Sequence, residues 1–283
     1  MDRRLVLRLE TIGIAAEAVF NGVPLLRTQA PPQGAAGPAD ATAGPAAAQR
    51  LSISVNEYAL AGSNTLQLRV QPPPPGPPGQ AIETEPWLSD GQRGACLRLL
   101  LPRLGQRAHP EVARTLAQLD WAPVADTVVE LPAEVTQAVD LPLNFPRWRW
   151  LDAPLVANTA ALQGAAAAFL QGLALALSRG DAEPLLQASQ LRLEELAQAY
   201  QHNVADDVGR WRLQLQQLHA AQPLRPLMPK PSSLLLRPVA NGRLLECLTP
   251  EGQPVLHSAV AGGGQVFWPL RLSHIDGRFY VLR

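Results

Sequence analysis

The spacing of apolar and polar positions changes period once along the chain. In the first half it is close to two: Leu5, Leu7 and Leu9 alternate with Val6, Arg8 and Glu10, as in a strand with one buried face. Ala18, Val19 and Phe20 run into Asn21 and Gly22 and out through Val23 to Leu26. That predicts a hairpin, because a tight two-residue turn needs positive φ at both positions and Asn-Gly accepts it. Further strands are predicted over 51–55, 65–70, 95–101, 127–131 and 135–141, with a short helix over 109–119 opened by Pro110.

From about Asn158 the period lengthens to that of a helix. Leu162, Ala166, Phe169, Leu170, Leu173 and Leu177 share one face, and Arg179-Gly180 supplies a stop. A second helix from 183 or 184 carries Leu186, Leu193, Leu196 and Tyr200 inward, with Arg192, Glu194, Glu195 and Gln198 outward. A third, after Asp206-Asp207, presents Val208, Trp211, Leu215 and Leu218. Four prolines within 223–231 end the helical region, and the rest reads as an antiparallel meander turning at Asn241-Gly242, Pro250–Gln253 and Asp276-Gly277. The fold class expected is α+β: an antiparallel β-sandwich over 1–150, then a unit of three helices and a bent antiparallel sheet over 151–283.

Composition narrows the function classes. Twenty-four Lys and Arg balance twenty-four Asp and Glu, so the chain lacks the overall basic field of a nucleic-acid binder or of a protein held on anionic membranes. Lys230 is the only lysine, and the excess of Ala, Leu, Arg and Pro points to a GC-rich bacterial coding bias. Pro and Gly dominate 30–48, and Pro72 to Pro78 form a near-continuous proline run, so the loops at 30–48 and 71–80 are expected to be extended or mobile. Cys96 and Cys247 support neither a disulfide framework nor a four-ligand zinc site. The N-terminal alternation of Leu and Arg lacks the continuous apolar stretch of a signal peptide, which favours a cytoplasmic location. Earlier removal of a leader would leave the same pattern, so a periplasmic one stays open. No charge falls between Asp152 and Arg179, yet Asn158, Gln163, Gly164, Gln171 and Gly172 interrupt that stretch, and it is read as a packed helix rather than a membrane span.

Two resemblances follow. A polar turn with Gly and Asn (Gly62 to Asn64) leading into the Leu66, Leu68, Val70 strand, after an Asn-Gly hairpin, resembles the accessory β-sandwich domains of bacterial proteins. Three helices followed by a meander closing on Ile275, Asp276, Gly277, Arg278, Phe279, Tyr280 and Val281 resemble the NTF2-like cone fold over about 155–283. That resemblance implies architecture more than activity, since the fold carries isomerases, dehydratases, immunity proteins and dimerisation modules alike.

Catalytic signatures are missing from the sequence: there is no GxSxG, Walker loop, GxGxxG, HExxH or CxxC. None of the five histidines has another at i, i+4, so neither metal nor cofactor is expected. The NTF2-like resemblance draws attention to His274 with Asp276, but Asp276 sits in the turn and should face solvent. His257 could point into the cone beside Trp268 or Tyr280 and orient a ligand there. Arg147, Trp148, Arg149 and Trp150 interleave cations and aromatics, the composition that stacks on bases or sugars. On a strand the two tryptophans would share one face, which suits a seam between domains better. The favoured expectation is a non-enzymatic, protein-binding module, an immunity or adaptor protein of a toxin or secretion system whose partner is another protein. The alternatives are a small-molecule binder or isomerase- or dehydratase-type enzyme using the cone, and a carbohydrate-binding accessory protein using the sandwich.

Overall fold

The computed structural model of the chain describes residues 4–29, 48–72, 87–89, 91–103 and 108–283. Most of the loop expected at 30–48 and of the proline run lies outside the described residues. The chain divides into two compact units, Met1–Pro146 and Arg147–Arg283. The fold is α+β: among the described residues there are antiparallel sheets in both units and four α-helices, all in the second.

In the first unit, β1 (Val6–Ile12), β4 (Ala48–Ser54), β7 (Gly94–Leu101) and β8 (Arg114–Trp121) form a sheet in the order β4-β1-β7-β8. The strands β2 (Ala15–Phe20), β3 (Val23–Arg27), β5 (Gly62–Gln71) and β10 (Ala133–Leu141) form another, in the order β10-β5-β2-β3. A small pair joins β6 (Trp87–Leu88) to β9 (Val128–Val129). The two large sheets meet where β5 and β10 approach β7 and β8. Leu7, Leu9, Leu97 and Leu99 from the first sheet and Ala18, Phe20, Leu66 and Leu68 from the second are fully buried, each leucine contributing about 1.5–3 kcal/mol on leaving water. Asn21 and Gly22 both have positive φ, and Phe20 pairs with Val23 across the two-residue turn, as the local sequence requires.

The helix expected over 109–119 is not formed. After a turn at 110–112 the chain enters β8, where Ala117 and Leu119 are buried against β7 and Gln118 and Asp120 are exposed. The alternation available to a half-buried strand, together with a ladder partner in β7, outweighs the local helical signal of Pro110.

In the second unit α1 (Ala160–Ser178) starts on Thr159, whose hydroxyl accepts the Leu162 N–H, and stops at Gly180. Gly180 has φ +74°, and the amides of Gly180 and Asp181 donate to Leu177 and Ala176, the bonds of a Schellman cap. Where one long helix was expected there are two, α2 (Glu183–Ala188) and α3 (Gln190–Tyr200), so the unit has four helices rather than three. The break is at Ser189, which is fully buried; its N–H is shared between the carbonyls of Leu185 and Leu186 and its backbone leaves the helical region. α4 (Val204–Ala221) begins on Asn203, whose side chain accepts from the amides of Ala205 and Asp206.

The strands β11 (Leu235–Val239), β12 (Leu244–Leu248), β15 (Arg271–Ile275) and β16 (Arg278–Val281) form a sheet in that spatial order, and β13 (Leu256–Ala259) and β14 (Gln265–Trp268) form a separate hairpin. The single strand expected over 266–272 is interrupted between β14 and β15, at Pro269-Leu270; Pro269 has no N–H to give a ladder. Leu170, Leu173 and Leu177 of α1, Leu185 and Leu186 of α2, Leu215 of α4, and Leu245, Cys247, Trp268, Leu272 and Val281 form one core.

Candidate functional site

The Arg147–Trp150 segment is not a strand. Trp148 is extended and leads into a short 3-10 turn, Arg149–Leu151. Both tryptophans are buried, Trp148 at 0% and Trp150 at 2% exposure, so neither ring presents a surface for a base or a sugar. Arg283 fills the space between them: its guanidinium carbon lies 5.9 Å from each ring centroid. Nη1 of Arg283 donates to Oε2 of Glu195 at 2.6 Å, and the other carboxylate oxygen accepts the backbone N–H of Arg149 at 2.5 Å. Glu195, expected on the outer side of its helix, is therefore buried and inward. A carboxylate so placed must be paired and hydrogen-bonded, and Arg283 and the Arg149 N–H supply the two partners.

The two arginines of the segment are exposed and engaged. Arg147 grips Asp152 through three contacts of 2.8–3.0 Å and holds that carboxyl below its ordinary pKa, while Arg149 donates to Glu194 at 2.7 Å. A second charged row crosses the sheet beside them. Glu246 of β12 faces Arg237 of β11 at 2.7 Å and Arg271 of β15 at 3.3 Å, following the strand register. The N–H of Arg271 donates to the carbonyl of Arg283 at 2.7 Å, which links the two networks. The result is a packed set of ion pairs that anchors the entry of the second unit to its last strand. Sequence spacing did not single out Glu195, Arg283, Glu246 or Arg271; the cross-strand placement of Arg237 and Glu246 about a hairpin was the one readable hint.

The residues expected to line a cone do not converge. Trp268 pairs with Leu256 and joins the core at 7% exposure, whereas His257 pairs with Phe267 on the opposite face of the β13-β14 hairpin. His257 packs its ring 5.4 Å from Phe267 and places Nδ1 2.8 Å from the carbonyl of Pro254. Tyr280 pairs with Ser273, and its neighbour Val281 is the one that enters the core opposite Leu272. Asp276 sits exposed in the final turn with φ 48°, and His274 packs on Phe279 at 4.8 Å. Among the described residues no three His, Cys, Asp or Glu side chains are grouped to hold a metal ion.

One uncharged open surface of the second unit lies on α1. Ala161, Ala165, Ala168, Gly172 and Leu175 are exposed along one face at spacings of four and three, and no charge interrupts the helix. Gln171 and Gln163 donate to the carbonyls of Pro229, Pro231 and Leu234 and hold that segment beside the helix. Its neighbours Met228 and Leu235 are exposed at 42% and 46%, and Leu175 at 44%. α1 is the one helix among the described residues long and apolar enough to cross a membrane, yet Ala166, Leu170, Leu173 and Leu177 on its other side belong to the core.

Comparison of the chain with protein families, with curated proteins and with solved structures finds no match.

Proposed function

We propose that the protein is a bacterial protein-binding module, in the specific form of an immunity or adaptor protein of a toxin or secretion system. In this reading the paired sheets of the first unit act as an accessory β-sandwich, and the helices and sheet of the second as an NTF2-like cone. The observation that carries protein binding is the uncharged, exposed face of α1 with Leu175, Met228 and Leu235. Apolar surface of this kind, on an element whose other side is fully packed, gains most when a partner removes it from water. Trp148 and Trp150 are buried, so they offer no stacking surface for a sugar, and the side chains that a small-molecule cone would use point to different faces.

Affinity capture from the source cells with the parent and with Ala168→Arg tests this reading. The partner should be retained by the parent and lost with the variant at unchanged melting temperature, because residue 168 is solvent-facing. A neighbouring toxin gene whose product is the captured protein would support the immunity form. Retention by both proteins, or flotation of the parent with lipid vesicles in place of protein capture, would overturn it.

A further inference from the structure

Among the described residues six strands form the outer edges of the three large sheets: β3, β4, β8, β10, β11 and β16. A bare edge is a template for strand addition, so edges are usually kept short or blocked by proline, bulges or charge. Five of the six follow that rule. β3 has five residues with Pro24 among them and faces a register shift in β2; β8 faces another shift between Leu99 and Leu100. Along β4, the Gln49 side chain exchanges two hydrogen bonds with the backbone of Gln29. β11 contains Pro238, and β16 has four residues with α2 and α3 packed near it.

β10 is different. It has nine residues and no Pro, its only charges are the carboxylates Glu134 and Asp140 rather than the lysine that most often guards an edge, and its register is unbroken from Ala133 opposite Val70 to Leu141 opposite Gly62. β8 of the other large sheet approaches β10, but Thr136, Gln137 and Ala138 are exposed in succession, so among the described residues both faces of the strand are open at its middle. Its charge pattern says what would fit. One cross-strand row of this sheet reads Arg27, Glu17, Arg69, Glu134, with contacts of 2.6, 3.7 and 3.0 Å, so the signs alternate and the row ends on a carboxylate at the edge. Glu134 also accepts from Gln67 and Thr136 and stays half-exposed, so a cation at the next position would continue the alternation. Asp140, on the same face as Glu134, lies across from Ser63 and is exposed. On the other face Val135 and Val139 are half-buried, leaving apolar surface that a neighbour could finish covering.

We propose that the open edge of β10 takes up an extended segment of a partner protein as an added antiparallel strand, with basic side chains across from Glu134 and Asp140 and apolar ones across from Val135 and Val139. Backbone hydrogen bonds supply affinity and the alternate side chains supply choice of sequence. A second copy of the chain is a poor occupant, because antiparallel self-pairing centred on Gln137 sets Glu134 against the second copy's Asp140, like charge opposite like. The proposal rests on the protein-binding reading but uses a different surface, so the two can fail separately.

The test uses the full chain and a fluorescein-labelled peptide in the order basic, apolar, three polar, apolar, basic, followed by anisotropy at low salt, where exposed charges act most strongly. Saturable binding is expected, weakened about tenfold by Asp140→Lys, since an attractive surface pair becomes a repulsive one. A peptide with acidic ends should bind the Asp140→Lys protein better than the parent; this charge swap also shows that the variant is folded. The proposal is overturned by absence of saturation, by equal affinity of parent and variant for the basic peptide, or by sedimentation showing that the parent dimerises through β10 and releases the peptide. If the peptide fails while Ala168→Arg still abolishes partner capture, the edge proposal falls and the protein-binding reading stands.

Discussion

At the scale of single residues, the polar chemistry of this chain is organised around carboxylates caught between arginines. Glu17 lies between Arg27 and Arg69, Glu246 between Arg237 and Arg271, and Glu195 against Arg283. Removing one member of a buried pair leaves the other uncompensated, which costs about 3–5 kcal/mol. Glu195→Ala should therefore lower stability by that amount in urea denaturation, while Asp152→Asn, at a solvent-exposed pair, should leave the midpoint unchanged. The cysteines offer a pH-dependent check. Burial, reinforced by a hydrogen bond to Asp120, pushes Cys96 up to about 12, and burial also raises Cys247. Neither thiol should react with a disulfide reagent near pH 8 in the folded protein, and both should react in urea. A raised thiol pKa contributes stability that is whole below the unfolded value of roughly 8.5 and is lost as pH climbs toward the folded one. The urea midpoint of the parent should thus fall above about pH 9 more steeply than that of Cys96→Ala.

At the scale of elements, legibility followed the range of the interactions involved. The hairpins at Asn21-Gly22 and Asp276-Gly277 were readable because their backbone signs are dictated by the two turn residues themselves. The inward face of α1 was readable because Leu162, Phe169, Leu170, Leu173 and Leu177 repeat over about four turns. Two of the failures depended on distant partners. The ladder to β7 turned 114–121 into a strand, and the position of Arg283 drew Glu195 inward against the polarity rule for its helix. The candidate site shows the same division: Trp148 and Trp150 stood out by composition, but their role depends on a residue more than a hundred positions away, which no spacing rule connects. Trp268 tests the element scale directly. It ends β14 just before Pro269 and packs among Leu170, Leu256, Leu272 and their neighbours in one core. Trp268→Ala should cost about 3–5 kcal/mol through the cavity left behind. A loss below about 1.5 kcal/mol in chemical denaturation would mean that its surroundings are only partly filled and would revive the small-molecule reading.

At the scale of the whole molecule, the division between units falls at Pro146 and Arg147, so the Arg147–Trp150 segment belongs to the second unit. This changes which fragment should fold. A unit starting near residue 155 keeps the four helices and the sheet but loses Trp148 and Trp150, the two rings around Arg283, together with the Arg149 N–H that binds Glu195. It also loses the carbonyl of Ala153 that accepts from Arg243. Arg283 and Glu195 would remain as an ion pair stripped of its aromatic cover, and one Glu195 oxygen would lose its donor, a loss of about 1–3 kcal/mol for that hydrogen bond alone. Small domains have margins of only about 5–15 kcal/mol, so deletion of both rings and both hydrogen bonds should be decisive. A fragment spanning 147–283 should be soluble and unfold in a single cooperative transition, whereas 155–283 should show a lower midpoint or bind a hydrophobic dye as a loosened state. Equal midpoints for the two fragments would show that the tryptophan and arginine packing contributes nothing to the second unit, and the structural role assigned to that segment would have to be withdrawn.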